Sequence, residues 1–233
     1  MTWHTQPMVA FDVETTGLDI DEDRIVTASL WKIDPTARTK SVTTWLVDPG
    51  VDIPQAATDI HGITTDHARR HGRPASVAVP EIGEALEKAI ADGLPVVVYN
   101  APYDLGLLSA ELERHGCAIR FDGSLRVLDP LVLDKHVDTF RRGSRKLVDV
   151  CAHHGVPLDS QQAHGAAADA LAAARLAWKL AATHAELAAM SIDDLHTAQV
   201  GWKAEQAASF QEYLRRRAPE AFVDGSWPFA ART

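Results

Sequence analysis

The first 48 residues carry the hydrophobic pattern of consecutive β-strands separated by short polar turns. Three runs rich in apolar and β-branched residues end at acidic, glycine or proline residues, and they cover 8–14, 24–33 and 42–47. Short connections of this kind favour antiparallel neighbours over crossovers. We therefore predict a three-stranded antiparallel meander at the start of the chain.

The rest of the chain alternates helical spacing with short apolar runs. The unbroken apolar run at 94–99 is typical of a strand that is buried on both faces of a parallel sheet. Helices are predicted at 79–91, 100–115, 147–154, 167–189 and 191–217, a short strand at 126–128, and a loop at 54–62. This order predicts an α/β fold in which the first strand and the strand at 94–99 are parallel neighbours.

The composition is that of an ordinary folded protein. Hydrophobic residues make up 46% and charged residues 24% of the 233 positions, which argues against a disordered chain. Cys117 and Cys151 are too few and too far apart for a disulfide framework or a thiolate zinc site. We see no secretion signal and no apolar run near the ~20 residues that span a bilayer. A cytoplasmic protein without a membrane partner is expected.

Four acidic residues stand at the edges of the predicted elements. Asp12 and Glu14 are two residues apart on the first strand, so both carboxylates point to the same side of the sheet. Asp104 follows the strand at 94–99, and Asp169 lies near the start of the helix at 167–189. Because the carboxyl ends of parallel strands line the crevice of an open α/β sheet, we expect these carboxylates to converge.

Carboxylates gathered in this way repel each other, by roughly 4 kcal/mol for two charges about 4 Å apart at an effective dielectric near 20. Hard divalent cations remove this cost, and oxygen ligands favour Mg²⁺ or Mn²⁺ over zinc. A pair of such ions about 3.5–4 Å apart is the arrangement used for in-line attack on a phosphodiester. His164 has the titration range of a general base, and it reaches Asp169 only from a loop before the helix.

Four segments carry a family resemblance in their order, residue types and spacing. FDVETTGL at 11–18, NAPYDL at 100–105 and HGAAADA at 164–170 resemble the three motifs of the DEDDh 3′–5′ exonuclease superfamily, and IHGIT at 60–64 resembles an element between them. The chain is similar in particular to the proofreading (epsilon) subunit of bacterial DNA polymerase III and its stand-alone relatives. Tyr99 and Tyr103 depart from the family, where many relatives have His and Phe.

The resemblance covers about residues 8–182 and implies an RNase H-like fold with a mixed five-stranded sheet flanked by helices. It implies an exonuclease domain at 8–187 and a C-terminal helical extension at 188–233. The implied activity is 3′–5′ hydrolysis of single-stranded DNA to nucleoside 5′-monophosphates, with two Mg²⁺ or Mn²⁺ ions. The implied metal ligands are Asp12, Glu14, Asp104 and Asp169, with His164 as the base. The implied substrate contacts are Thr15, Thr16, Gly17, Leu18, His61, Asn100 and Tyr103.

Several alternatives stay open at this point. An RNA-trimming enzyme of the oligoribonuclease or RNase T type has the same motifs, since 2′-OH recognition depends on a few contacts. A catalytically silent nucleic-acid-binding domain would have lost a metal ligand, and Glu14 disfavours a haloacid-dehalogenase-type phosphatase. A DNA polymerase or a second copy of the chain is a further candidate partner.

The charge balance disfavours nucleic acid on first reading. The chain has 32 acidic and 23 basic residues, a formal charge of −9, whereas a phosphate backbone attracts cations. Four of those acids belong to the predicted metal site, however, and cations cluster locally at Arg141, Arg142, Arg145 and Lys146. This cluster suits a solvated face or a contact with the substrate backbone equally well.

Overall fold

A computed structural model describes residues 2–119, 121, 123–158 and 165–231. The strands are β1 Met8–Thr15, β2 Ile25–Asp34, β3 Thr39–Asp48, β4 Arg73–Pro74, β5 Val96–Val97 and β6 Val127–Leu128. The helices are α1 Gln55–His61, α2 Thr65–His71, α3 Ala75–Ala91, α4 Ala101–Arg114, α5 Pro130–Val137, α6 Leu147–His154, α7 Ala166–Thr183, α8 Ala185–Ala189 and α9 Ile192–Arg215.

The six described strands form one mixed sheet in the order β4-β3-β2-β1-β5-β6. β1, β2 and β3 pair antiparallel, which confirms the predicted meander. β5 lies parallel to β1, with Val9 opposite Val96, and this confirms the predicted neighbours. The sheet has six strands rather than five, because the two residues of β4 add a parallel edge beside β3. So short an edge strand leaves no apolar run that the sequence pattern could reveal.

The prediction of a loop at 54–62 is wrong. The chain there forms α1, which ends at Gly62 in the left-handed conformation (φ 77°), and continues into α2. Each helix has seven residues and buries a single alanine, Ala57 or Ala68, against Val26. Helices this short are stabilised by tertiary burial rather than by their own propensity, and they are too short to show a helical period.

The helix predicted at 167–189 is interrupted at His184, which is extended (φ −122°, ψ 100°) and separates α7 from α8. The turn brings Leu187 under Trp3, whose indole Nε1 donates to the Leu187 carbonyl at 2.8 Å. None of the described helices combines the length and apolarity needed to cross a bilayer.

The two faces of β1 serve different purposes. Val9, Phe11 and Val13 point into the larger core, which they share with α3 and α4. Met8 and Ala10 point to the opposite face and pack against α7. Because strand residues alternate between faces, Asp12 and Glu14 continue the face that α7 covers.

Helix α9 completes the edge of the sheet at β6. The Val127 N–H donates to Nδ1 of His196 at 3.0 Å, and Gln199 Nε2 donates to the Val127 carbonyl at 2.9 Å. The Asp129 N–H donates to Oε1 of Gln199 at 2.8 Å. Side chains of α9 thus take the place of a seventh strand and satisfy backbone groups that an open edge would leave unpaired.

We expect Gln199→Ala to lower the free energy of unfolding by about 2–4 kcal/mol, because it leaves the Val127 carbonyl and the Asp129 N–H buried without partners. Urea denaturation followed by circular dichroism measures this loss. Thr197→Ala on the exposed side of the same helix is the control and should cost less than about 0.5 kcal/mol. Equal stability of the two variants would contradict the role of Gln199.

Candidate active site

Asp12 and Glu14 lie together at the carboxyl end of β1. Both side chains are half-buried, whereas their neighbours Phe11, Val13 and Thr15 are buried. The antiparallel register places Asp12 opposite Ser29 and Glu14 opposite Thr27 on β2. The period of the strand therefore brings the two carboxylates to one face, as the sequence predicts.

Asp104 reaches the same place from the start of α4. β5 ends at Val97, so the Val13 N–H has no strand partner on that side of β1. The buried Asp104 carboxylate accepts this N–H at 3.1 Å. One hydrogen bond thereby closes the gap in the sheet and fixes the carboxylate beside Asp12.

Asp169 comes from the first turn of α7. This helix is rich in alanine where it faces the sheet, and small side chains let its backbone approach β1 closely. The Trp31 indole Nε1 donates to the Ala167 carbonyl at 2.7 Å and anchors the first turn to β2. Carboxylate oxygens of Asp12, Glu14 and Asp169 all lie within 4.8 Å of one another.

Burial and mutual repulsion make these carboxylates poor acids. The pKa of Glu14 is raised to about 8, mainly by burial and then by Asp169 and Asp104. Burial also raises the pKa of Asp104 to about 8, although the Val13 N–H opposes the shift. The pKa of Asp12 is raised well above its ordinary value by burial and by its three carboxylate neighbours.

This donor set fits a hard divalent cation. Among the described residues, the charged neighbours that most shift the pKa of Asp12 and Glu14 are other carboxylates, so the site gathers negative charge. The donors are all carboxylate oxygens, which Mg²⁺ and Mn²⁺ prefer. Asp12, Glu14 and Asp169 are close enough to share one ion, and Asp104 lies beside them.

Two cavities meet at these carboxylates. One of about 470 Å³ opens over Asp12, Asp104 and Asp169 and has Lys146 in its wall. The other, of about 700 Å³, begins at Glu14 and runs between the outer strands of the meander and α7. Glu14 lines both cavities, so a molecule in either can reach the acidic centre.

The predicted contacts at 15–18 form the turn after β1. Thr15 and Thr16 are buried, and the Thr16 hydroxyl donates to Asp23 at 2.7 Å. A Cβ atom at Gly17 would lie 2.5 Å from the Asp23 carboxylate, so a larger residue there would displace the side chain that accepts from Thr16. Leu18 is 87% exposed. An apolar side chain held so far into solvent on a fixed turn is suited to contact a nucleobase.

Tyr103 ties the turn to α4. Its hydroxyl lies 2.5 Å from the Gly17 carbonyl and 2.5 Å from the Thr15 hydroxyl, and burial raises its pKa to about 12. The ring also lines the cavity over the acidic residues. The tyrosine that departs from the family pattern thus holds the turn that follows Glu14.

His61 and Asn100 border the two cavities. His61 lines the larger one; its Nδ1 accepts the Ile63 N–H at 3.1 Å, and burial lowers its pKa. Asn100 has a left-handed backbone (φ 62°), and its side chain makes no capping bond to α4, contrary to the capping role that its position favours. The side chain lines the acidic cavity instead.

Asp129 is a residue that the sequence analysis did not single out. Its buried carboxylate accepts the N–H groups of Asn100 at 2.9 Å, Ala101 at 3.0 Å and Leu131 at 3.0 Å. It therefore holds the starts of both α4 and α5, and α4 carries Asp104. An acid directly after the third parallel strand, before a proline, is a signal that could have been read. His164 lies outside the described residues.

The basic cluster divides into two groups. Arg141 and Arg145 both pair with the buried Asp134, to which Arg141 Nη2 donates at 2.6 Å. The Arg145 carbonyl also accepts the Tyr99 hydroxyl at 2.6 Å. These two arginines are therefore part of the loop structure, whereas Arg142 and Lys146 are exposed.

A family model described as Exonuclease (RNase T) matches residues 9–177. The chain belongs to this exonuclease family. The predicted resemblance to the exonuclease superfamily is thereby confirmed. The chain is 32% identical over 169 residues to a DNA polymerase III subunit epsilon-like protein of Rhodobacter capsulatus, which covers 71% of this chain and 22% of that protein. It is 30% identical over 183 residues to the PolC-type DNA polymerase III of Lacticaseibacillus paracasei. That match covers 78% of this chain and 12% of the polymerase.

Solved exonuclease structures share the fold. E. coli exonuclease I in complex with a dA16 oligonucleotide superposes with a TM-score of 0.66 at 18% identity, over 82% of this chain and 43% of that one. Exonuclease I of Methylocaldum szegediense superposes with a TM-score of 0.63 at 18% identity, over 89% of this chain and 46% of that one. The predicted RNase H-like fold is confirmed. This exonuclease-family chain spans about a fifth or less of the length of the two curated relatives.

We expect the protein without bound metal to lose thermal stability as the pH rises from about 4 to about 8. Glu14 and Asp104 release protons near pH 8 when folded but near their ordinary pKa values of 4.5 and 3.8 when unfolded. The folded state therefore holds more protons across this window, and its stability falls as the pH rises. Calorimetry in EDTA measures the trend.

Added Mn²⁺ should raise the melting temperature at pH 8 and change it little at pH 5, because ions bind the ionised carboxylates of the folded state. Asp12→Asn should flatten the pH dependence by removing one repelling charge. A melting temperature that is flat with pH and indifferent to Mn²⁺ would contradict this assignment.

Proposed function

We propose that this chain is a metal-dependent 3′–5′ exonuclease that releases nucleoside 5′-monophosphates from single-stranded DNA. The observation that carries the proposal is the convergence of Asp12, Glu14, Asp104 and Asp169 at the carboxyl ends of two neighbouring parallel strands. Membership of the exonuclease family supports the reaction type. The resemblance of all three motifs to the DEDDh pattern supports the 3′–5′ direction.

In this proposal the four carboxylates hold two divalent cations. Such cations, when bound, supply charge stabilisation for the scissile phosphate and lower the pKa of an attacking water. Asp104 is oriented by the Val13 N–H, and α7 carries Asp169 on a helix anchored through Trp31. These fixed positions reduce the reorganisation that the reaction requires.

His164 would accept the proton of the attacking water. It stands two residues before Ala166, where α7 begins, and five before Asp169. An imidazole with an ordinary pKa near 6.5 is well matched to this role at neutral pH.

The terminal nucleotide would bind against the turn after β1. Tyr103 holds this turn in place through Gly17, and Leu18 projects from it. The side chains of His61 and Asn100 border the two cavities that meet at Glu14. These groups offer an apolar contact for a base and polar contacts for a sugar or phosphate.

Single-stranded DNA is the substrate that the comparisons support. E. coli exonuclease I has been crystallised with dT13 and dA16 oligonucleotides, and the curated relatives are named as DNA polymerase III. Those polymerase relatives also support a DNA polymerase as protein partner, with a second copy of this chain as the alternative.

Time-resolved digestion of end-labelled oligonucleotides tests the proposal. A 5′-labelled DNA strand should shorten one nucleotide at a time in Mg²⁺, whereas a 3′-labelled strand should release its label at once, and EDTA should stop both. Faster digestion of an RNA of the same sequence would instead support the alternative of an RNA-trimming enzyme. Release of nucleotides from the 5′ end would contradict the direction.

Asp12→Asn and Asp104→Asn should each lower kcat/KM on a DNA oligonucleotide at least a hundredfold, about 2.7 kcal/mol of activation free energy, because each removes a metal ligand. The Asn amide oxygen at 104 can still accept the Val13 N–H, so this variant should remain folded. Glu84→Gln, an exposed position on α3, is the control and should keep full activity. Retained activity in either Asp variant would refute the metal-site assignment.

His164→Ala should lose most of the rate while it still binds Mn²⁺, because the proposal makes His164 a base and not a metal ligand. Single-turnover kinetics measure the rate, and calorimetry measures the affinity for Mn²⁺. If the variant no longer bound Mn²⁺, His164 would have to be a ligand or a structural residue instead.

A further inference from the structure

A groove of about 940 Å³, separate from the two cavities at the acidic residues, lies between the loop that follows α5 and helix α9. We call it the basic groove. Lys135 of α5 and Phe140 and Arg142 of the loop line one side, and α9 contributes Trp202, Phe210 and Tyr213.

The basic groove adjoins the cavity over the acidic residues. Arg145 lines both the basic groove and the cavity that holds Asp12, Asp104 and Asp169. Its guanidinium is fixed by the buried Asp134, so this connection is a rigid part of the fold. A strand that leaves the acidic cavity on the side of Arg145 would therefore meet the basic groove.

Two of the cations in the basic groove have no acidic partner among the described residues, whereas Arg141 and Arg145 pair with Asp134. Lys135 and Arg142 form no ion pair with an acidic side chain in the described ranges, and Glu205 is the one described acid in the lining. Burial lowers the pKa of Lys135, and the nearby Lys203 and Arg145 lower it further, whereas Asp129 and Asp134 oppose the shift. Like charges are thus held together here, in a chain whose formal net charge is −9.

Aromatic rings lie beside these cations and face solvent. Phe140 is 93% exposed, and Phe210 and Tyr213 are 52% and 55% exposed. The rings of Phe210 and Tyr213 are nearly parallel, with an interplanar angle of 13°. Trp202 is covered by the ring of His136 at a centroid distance of 3.7 Å.

We propose that the basic groove binds single-stranded DNA upstream of the nucleotide in the acidic cavity. Cations that track the phosphates and exposed rings that stack on successive bases are what proteins use to hold single strands without sequence preference. This proposal rests on the proposed function. The unpaired cations favour a polyanion over an apolar protein segment, since burying them against apolar groups would be costly.

The test compares a long and a minimal substrate. In Phe140→Ala/Arg142→Gln, kcat/KM on dT12 in Mn²⁺ should fall at least tenfold through KM, while hydrolysis of thymidine 5′-monophosphate p-nitrophenyl ester should stay within twofold. Affinity for 5′-fluorescein-labelled dT12 in EDTA should fall by a similar factor. The loss of one phosphate contact should also reduce the slope of log affinity against log salt by about 0.7.

Two further variants make the outcome specific. Tyr213→Ala on the opposite wall should reproduce the loss on dT12. Phe222→Ala/Arg38→Gln removes the same two residue types at exposed positions outside the basic groove and should change neither substrate. All these positions are exposed, so melting by circular dichroism should show every variant folded.

The outcomes separate the two proposals. If the groove variants lose activity on dT12 but keep it on the p-nitrophenyl ester, the result supports DNA binding in the basic groove. If the groove variants matched the control on dT12, or lost both substrates equally, the basic groove would be excluded while the exonuclease function stood. If the wild-type protein neither bound nor cleaved dT12, both proposals would be overturned together.

Discussion

The repulsion among four clustered carboxylates, of which Asp104 is buried and the others are half-buried, is the constraint on which the rest of this structure depends. Asp12 and Glu14 are brought together by the period of β1, and each raises the cost of ionising its neighbours. Hydrophobic burial on the other face of β1 must hold that edge closed against the repulsion, and Phe11 and Val13 provide it. The fold therefore holds the carboxylates close together despite their repulsion, and a bound divalent cation can reduce that repulsion.

The neighbouring elements are arranged to keep these carboxylates in place. Asp104 replaces a missing strand partner of Val13, and the alanine-rich face of α7 lets Asp169 approach the sheet. Tyr103 and Asp134 act one layer further out, where they fix the turn after β1 and the loop before α6. Each of these polar groups has a hydrogen-bond partner, so the elements that carry the carboxylates are held by specific contacts.

The sequence was sufficient to predict the meander, the parallel pairing of β1 with β5 and the common edge of the acids, because each follows from a strand period or a strand end. It was insufficient for α1 and α2, whose short spans show no period. The role of Asp129 and the match of Gln199 to the backbone of β6 join residues about 30 to 70 positions apart. No local pattern encodes such contacts, since they arise only when the helices dock.

The hydrogen bonds of α9 to β6 belong to a wider dependence of the acidic centre on the residues after 187. Trp227 donates to the same Asp129 carboxylate that holds the start of α4, at 3.3 Å, so the last segment of the chain touches the support of Asp104. A unit ending near residue 187 would leave an open strand edge and lose one partner of that support. A truncation at that point would therefore loosen the start of α4 as well as the sheet edge.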